Sequence, residues 1–88
     1  MVTIINTHEV KDFNTWKQYF DAGAENRTRA GINILNVYRD TDNQNKVTVI
    51  SEVADAETGK AFIANLKPSF EKLGIISEPQ IMMLNKAM

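Results

Sequence analysis

Apolar and polar residues alternate with a period of two in three segments of the chain, which is the pattern of half-buried β-strands. A shorter segment after Pro79 adds a fourth strand. The predicted strands are residues 2–10, 32–40, 46–54 and 80–85. Residues 41–45, between the second and third strands, are polar and typical of a hairpin turn.

Two segments between the strands show helical spacing instead. In the first, Phe13, Trp16 and Phe20 recur at intervals of three and four behind Asp12, whose carboxylate can cap a helix. This helix is predicted to run to Gly31, because glycine readily adopts the left-handed turn that follows a helix.

The second helix is predicted to begin after Asp55 and to place Phe62 and Leu66 on one face. Pro68 ends it, because proline lacks an amide donor and disfavours a helical residue before it. The resulting order, βαββαβ, predicts a four-stranded antiparallel sheet in the order 4-1-3-2 with both helices on one face. The chain is therefore expected to be one α+β domain of ferredoxin-like topology, residues 1–88.

The period of two divides the strand residues between the two faces of this sheet. The face assigned to the helices collects Ile4, Asn6, His8, Ile34, Asn36, Tyr38, Val47, Val49, Ser51 and Val53. The other face collects Thr3, Ile5, Thr7, Leu35, Val37, Arg39, Thr48, Ile50 and Glu52. This second set is too apolar for a fully solvent-exposed face and too polar for a deep core. We therefore expect a homodimer in which a second copy of the chain covers this face. Glu52 and Arg39 are expected to pair at the subunit interface. A monomer with some exposed valine and isoleucine is the alternative.

Composition narrows the functions that the chain can have. The net charge is −1 without a basic cluster, so no nucleic-acid partner is expected, and Arg27, Arg29 and Lys17 are assigned to a solvated helix face. One histidine and no cysteine leave no disulfide, no thiolate nucleophile and no predicted metal site. No segment approaches the roughly 20 apolar residues of a membrane span, and the first residues lack a signal-peptide pattern, so a cytoplasmic protein without a membrane partner is expected.

His8 is the natural candidate for a general acid or base, because a neutral imidazole exchanges protons near pH 7. Asn6, Asn36 and Tyr38 are predicted to lie near it on the same face, where their amide and hydroxyl groups would stabilise an oxyanion. These four are the predicted catalytic residues. The alternative is a core histidine that is satisfied by a backbone carbonyl or by Tyr38.

An apolar pocket is predicted beside these residues. Trp16 and Phe20 on the first helix and Phe62 on the second would form its roof, with Ser51 at its polar end, and such walls suit a flat aromatic ligand. The alternative is that an aromatic stripe at helical spacing simply fills the core.

Short segments along nearly the whole chain carry a resemblance to a known architecture. They are residues 7–10, 12–13, 16–21, 29–32, 37–39, 45–47 and 51–53. With them the chain resembles small proteins of the dimeric α/β-barrel superfamily, which includes cofactor-independent antibiotic-biosynthesis-type monooxygenases, polyketide cyclases, muconolactone isomerases, haem-degrading proteins and stress-responsive barrels. The resemblance implies a homodimer with a cavity under the helices, but no single reaction. The haem-degrading relatives place a ligating histidine near the second helix, and residues 54–76 contain none, so no cofactor is expected.

The resemblance and the residues around His8 together predict a cofactor-independent monooxygenase or cyclase acting on a small aromatic or polyketide-like compound. The alternative is a non-catalytic dimer that binds a small hydrophobic molecule or takes part in a stress response. A purely structural protein with a filled core is the third hypothesis.

Overall fold

The computed structural model describes residues 1–88 as four strands and four helices in the order βααββααβ. These are β1 Val2–Glu9, α1 Phe13–Ala22, α2 Ala24–Arg29, β2 Asn33–Arg39, β3 Lys46–Val53, α3 Ala56–Leu66, α4 Phe70–Leu73 and β4 Gln80–Asn85. One turn of 3₁₀-helix over Lys67–Ser69 joins α3 to α4. No helix is both long enough and apolar enough to cross a membrane.

The strands form one sheet in the order β2-β3-β1-β4, and all neighbouring pairs are antiparallel. This is the predicted order read from the opposite edge, and the helices lie on one face of the sheet, so the predicted ferredoxin-like fold is confirmed. Asp12 and Asp55 begin α1 and α3 by accepting hydrogen bonds from the amides of Thr15 and Thr58. Both caps act where the sequence predicts them.

Two apolar clusters fill the space between the helices and the sheet. One contains Val2, Ile4, Ile32 and Val53, with Phe62 and Ile63 of α3 packed against it. The other contains Val10, Trp16, Val47 and Val49, with Phe13 and Phe20 of α1 packed against it. Ile34 contacts both clusters, so the two halves of the core meet at the middle of the sheet.

The first predicted helix is not continuous. It breaks at Gly23, which ends α1 by donating its amide to the carbonyls of Tyr19 and Phe20, both at 3.2 Å. A short second helix, α2, then runs to Arg29. Gly31 has φ of +78°, so its predicted left-handed conformation is observed.

A β-bulge in β2 corrects the predicted division of the sheet into two faces. The register shifts between Ile34 and Asn36, so Asn36 pairs with Ile50 and Tyr38 pairs with Thr48. Ile50 and Thr48 lie on the face away from the helices, and Asn36 and Tyr38 therefore lie there too. Their predicted place beside His8 is wrong, because one extra residue in a strand moves every later side chain to the opposite face.

The same bulge turns Val37 and Arg39 towards the helices. The guanidinium carbon of Arg39 lies 3.9 Å from the ring centroid of Phe13, and its Nε donates to the carbonyl of Gln44 at 2.9 Å. Arg39 therefore does not lie on the outer face, where the sequence places its pair with Glu52.

Candidate functional site: a cavity beneath the helices

A cavity of about 370 Å³ lies between the helices and the centre of the sheet. Its walls are mostly apolar, and Asn6, His8 and Ser51 bring polar groups into it from β1 and β3. A volume of this size and an apolar wall with a few polar groups are typical of small-molecule sites.

His8 lies in this wall with 5% of its surface exposed. Its Nδ1 is 3.3 Å from Oδ1 of Asn6, two residues earlier on the same face of β1. With the amide oxygen as acceptor, Nδ1 carries the proton and Nε2 carries the lone pair. Nε2 is buried and has no hydrogen-bond partner in the protein. A buried polar atom without a partner is rare, and such atoms often belong to sites where a ligand or a reaction completes the contacts.

Burial holds the pKa of His8 below its ordinary value of 6.5, because an apolar surrounding disfavours the charged imidazolium. His8 is therefore neutral at pH 7. The neutral imidazole is the form that can accept a proton, so His8 can act as a base in this site.

A second, smaller pocket of about 120 Å³ also has His8 in its lining. Apart from His8 it is lined only by polar residues, which are Thr7, Glu9, Lys46, Ser77, Glu78 and Gln80. His8 therefore lines both an apolar cavity and a polar pocket.

Aromatic rings cover the cavity on the helix side. The rings of Trp16 and Phe20 stack with centroids 4.8 Å apart and an interplanar angle of 23°. Trp16, only 2% exposed, also lies 5.8 Å from His8 between ring centroids. Phe62 of α3 lines the same space. The ring of Trp16 belongs both to the hydrophobic core and to the wall of the cavity. The two predicted roles of the aromatic residues of α1, filling the core and covering a pocket, therefore both apply to it.

The structure brings six of the eight residues predicted for the site together at the cavity. They are Asn6, His8, Trp16, Phe20, Ser51 and Phe62. Asn36 and Tyr38 are not among them, because the bulge in β2 places them on the outer face. No three His, Cys, Asp or Glu residues come together in a group that could hold a metal ion.

Sequence reasoning missed Arg27, which it assigned to a solvated helix face. Its guanidinium carbon lies 3.9 Å from the ring centroid of Phe20, and the side chain lines the cavity. A signal for this was present, because Arg27 follows Phe20 by seven residues and two helical turns return to the same face. Residue type alone favours the solvated face, because arginine side chains are mostly exposed.

Solved structures with this fold match almost the whole chain. A protein of Bordetella bronchiseptica, named as a candidate antibiotic biosynthesis monooxygenase, matches with a TM-score of 0.80 at 12% identity over 99% of this chain and 97% of that one. A similarly named protein of Caulobacter crescentus matches with 0.76 at 14% identity, over 99% and 90% of the two chains. A single-residue mutant of SnoaB, a cofactor-independent oxygenase of Streptomyces nogalater, matches with 0.72 at 17% identity, over 99% and 93%.

At these identities the likeness establishes the fold alone, and the predicted fold is confirmed by it. No protein-family model and no curated protein sequence matches the chain.

Proposed function

We propose that the protein is a cofactor-independent oxygenase that binds a small aromatic or polyketide-like compound in the cavity and uses His8 as its general base. The observation that carries this proposal is the buried neutral imidazole, whose Nε2 has no partner, in the wall of an apolar, aromatic-covered cavity. The likeness of the fold to SnoaB, a cofactor-independent oxygenase, supports the same reaction class.

The reaction that fits these groups begins with a methylene group made acidic by a neighbouring aromatic ring or carbonyl. Nε2 of His8 takes one of its protons, and the amide of Asn6 and the hydroxyl of Ser51 stabilise the negative charge that develops on the conjugated oxygen. Their place in an apolar cavity strengthens these hydrogen bonds, because the local dielectric constant is low.

Molecular oxygen is the oxidant. The carbanion adds O₂ to give a peroxide anion, the imidazolium of His8 returns the proton, and the resulting hydroperoxide loses water to leave a carbonyl. The net change is CH₂ + O₂ → C=O + H₂O, which balances without a cofactor. The substrate itself supplies the electrons, so the protein needs only to generate and hold the anion.

We further propose that the protein works as a homodimer joined through the outer face of the sheet. Ile5 pairs with Ile50 on one side and with Met82 on the other, which makes an apolar row across the centre of that face. Only 11 of the 88 residues are buried in one protomer, a small core for independent stability. A self-complementary apolar row is what a two-fold interface requires.

Oxidation of anthrone, a flat tricyclic compound with an activated methylene, tests the oxygenase activity. The protein is expected to consume one O₂ for each anthraquinone formed, and His8→Gln to lower the rate by about 10²–10⁴. Asn6→Ala should also slow the reaction, whereas Asn36→Ala, the matched change on the outer face, should not. A folded His8→Gln protein with an undiminished rate would exclude His8 as the base.

A non-catalytic binding protein is the second candidate. The cavity supports it without any chemistry at His8, since Nε2 can simply accept a hydrogen bond from a bound hydroxyl or amide. Saturable binding of aromatic compounds without O₂ consumption would favour this function over the first.

A further inference from the structure

The charged residues of the cavity are all of one sign. Arg27 of α2 and Lys72 of α4 line it, and no aspartate or glutamate does. The chain as a whole has 11 acidic and 10 basic residues, so this local bias does not follow from composition.

Arg27 has no partner in the protein. The two ion pairs of the chain join Lys17 to Asp21 and Arg29 to Glu25, so its neighbours along the same helices are paired. The guanidinium of Arg27 stacks on Phe20, and the carboxylate of Asp21, which favours its charged form, already pairs with Lys17. It is half-buried, and burial lowers the pKa of Arg27, although the group remains a cation at any physiological pH.

The position of this guanidinium is defined from two sides. Phe20 lies against one face of it, and a Cβ placed on Gly23 would come within 3.1 Å of Nη1, so the group rests over the junction of α1 and α2. The amide of Arg27 donates to the carbonyl of Gly23 at 3.1 Å, which fixes the start of α2 beneath the side chain. A guanidinium held in this way keeps its donor edge free for a ligand.

We propose that the compound bound in the cavity is an aromatic carboxylate, whose ring system packs against Trp16 and Phe20 and whose carboxylate pairs with Arg27. This inference rests on the proposed function, because it specifies the ligand of the same cavity. The planar guanidinium matches a carboxylate through two parallel hydrogen bonds, and partial burial makes such a pair stronger than one on the open surface. Lys72 also lines the cavity, and because it is exposed it adds a weaker attraction. His8 lines the sheet side of the same cavity, and anchoring the carboxylate at Arg27 would orient the ring system relative to it.

Binding of two ligands that differ only in charge tests this proposal. Anthracene-2-carboxylate and its neutral carboxamide are titrated into the protein while the fluorescence of Trp16, the single tryptophan and a residue of the cavity, is followed. The carboxylate is expected to bind about tenfold more tightly than the carboxamide. Arg27→Met should remove most of this preference by weakening carboxylate binding far more than carboxamide binding, and Lys72→Met should reduce the preference less.

Arg29→Met is the matched control. It removes one positive charge from the same helix, but Arg29 is exposed, pairs with Glu25 at 3.6 Å and does not line the cavity. The preference for the carboxylate should persist in this variant, which separates a specific contact from a change in net charge.

A second measurement needs no variant. Raising the salt concentration to about 0.5 M should weaken binding of the carboxylate and leave binding of the carboxamide nearly unchanged. Equal affinity of the wild type for the two ligands, or a preference that survives in folded Arg27→Met protein, overturns the carboxylate proposal while leaving the proposed function in place. Failure of the wild type to bind either ligand overturns both.

Discussion

Oδ1 of Asn6 lies 3.3 Å from Nδ1 of His8, and the two side chains point to the same side of β1 because they are two residues apart. This contact leaves Nε2 of His8 as the atom with the lone pair. The neutral amide orients the ring without contributing a charge, so burial alone determines the direction in which the pKa of His8 moves.

Replacing Asn6 by aspartate should therefore raise the pKa of His8. A carboxylate beside Nδ1 stabilises the imidazolium and opposes the effect of burial. The pKa can be followed by NMR titration of the ring protons of His8, the only histidine of the chain. Asn36→Asp makes the same change on the outer face and should leave this pKa where it is. An unchanged pKa in the Asn6→Asp protein would show that the contact does not exist in solution.

The stability of the protein should depend on pH because of His8. In the unfolded chain its pKa returns to about 6.5, whereas the folded protein holds it lower. Between these two values the unfolded state binds more protons than the folded state, so the free energy of unfolding falls as the pH falls through that window and levels off below it. Above pH 6.5 both states are neutral at His8, and the effect is absent.

Urea unfolding between about pH 5 and 7 measures this slope, and His8→Gln should remove it. The caps do not interfere, because hydrogen bonds to Thr15 and Thr58 lower the pKa of Asp12 and Asp55 below 3.8, and their contribution is lost only at more acid pH. The same slope in wild type and His8→Gln protein would contradict a lowered pKa at His8.

The sequence predicts the strands, the sheet order and the helix caps because each depends on local patterns. The alternation of apolar and polar residues marks the strands, and Asp12 and Asp55 mark the helix starts. Because the connections between these elements are short, only one sheet topology fits their order. The bulge in β2 has no such mark. After Ile34, either Asn36 and Tyr38 or Val37 and Arg39 could face the helices. Each pair combines a strongly polar side chain with a more apolar one, so the alternation of polar and apolar residues does not distinguish between them.

The missed part of the site has a similar cause. A single glycine within a helix lowers its stability by only about 1 kcal/mol, so Gly23 alone does not predict that the helix breaks there. The predicted continuous helix is therefore wrong at Gly23, and Arg27 lies on the short helix α2 that follows the break. The predicted pocket residues Trp16 and Phe20 come before the break and are placed correctly, whereas the cation after it is not.

Gly59 of α3 should tolerate alanine poorly, although alanine is the better helix former. A Cβ at this position would lie 2.8 Å from Cδ1 of Ile4, which is buried in the sheet below. We expect a net destabilisation of about 1 kcal/mol, since overpacking costs about 1–3 kcal/mol and helix propensity returns up to about 1 kcal/mol.

Ile4→Val removes the very atom that the new methyl group would meet, and alone it should cost about 0.5–1.5 kcal/mol. In the Ile4→Val background, Gly59→Ala should become neutral or stabilising. Thermal or urea unfolding of the wild type, the two single variants and the double variant gives the coupling energy between positions 4 and 59. Additive costs would show that α3 does not approach the sheet this closely.

The outer face of the sheet should be the surface through which two copies associate. Ile50→Glu places a charge in the apolar row that Ile50 forms with Ile5 and Met82, and two such charges would face each other across a two-fold interface. We expect this variant to be monomeric, or at least about tenfold weaker in association, when the wild type is dimeric by sedimentation equilibrium. Ala64→Glu adds the same charge at an exposed position of α3, on the opposite layer, and should leave the dimer intact. A monomeric wild type, or a folded Ile50→Glu protein that remains dimeric, would mean that the apolar row has another role.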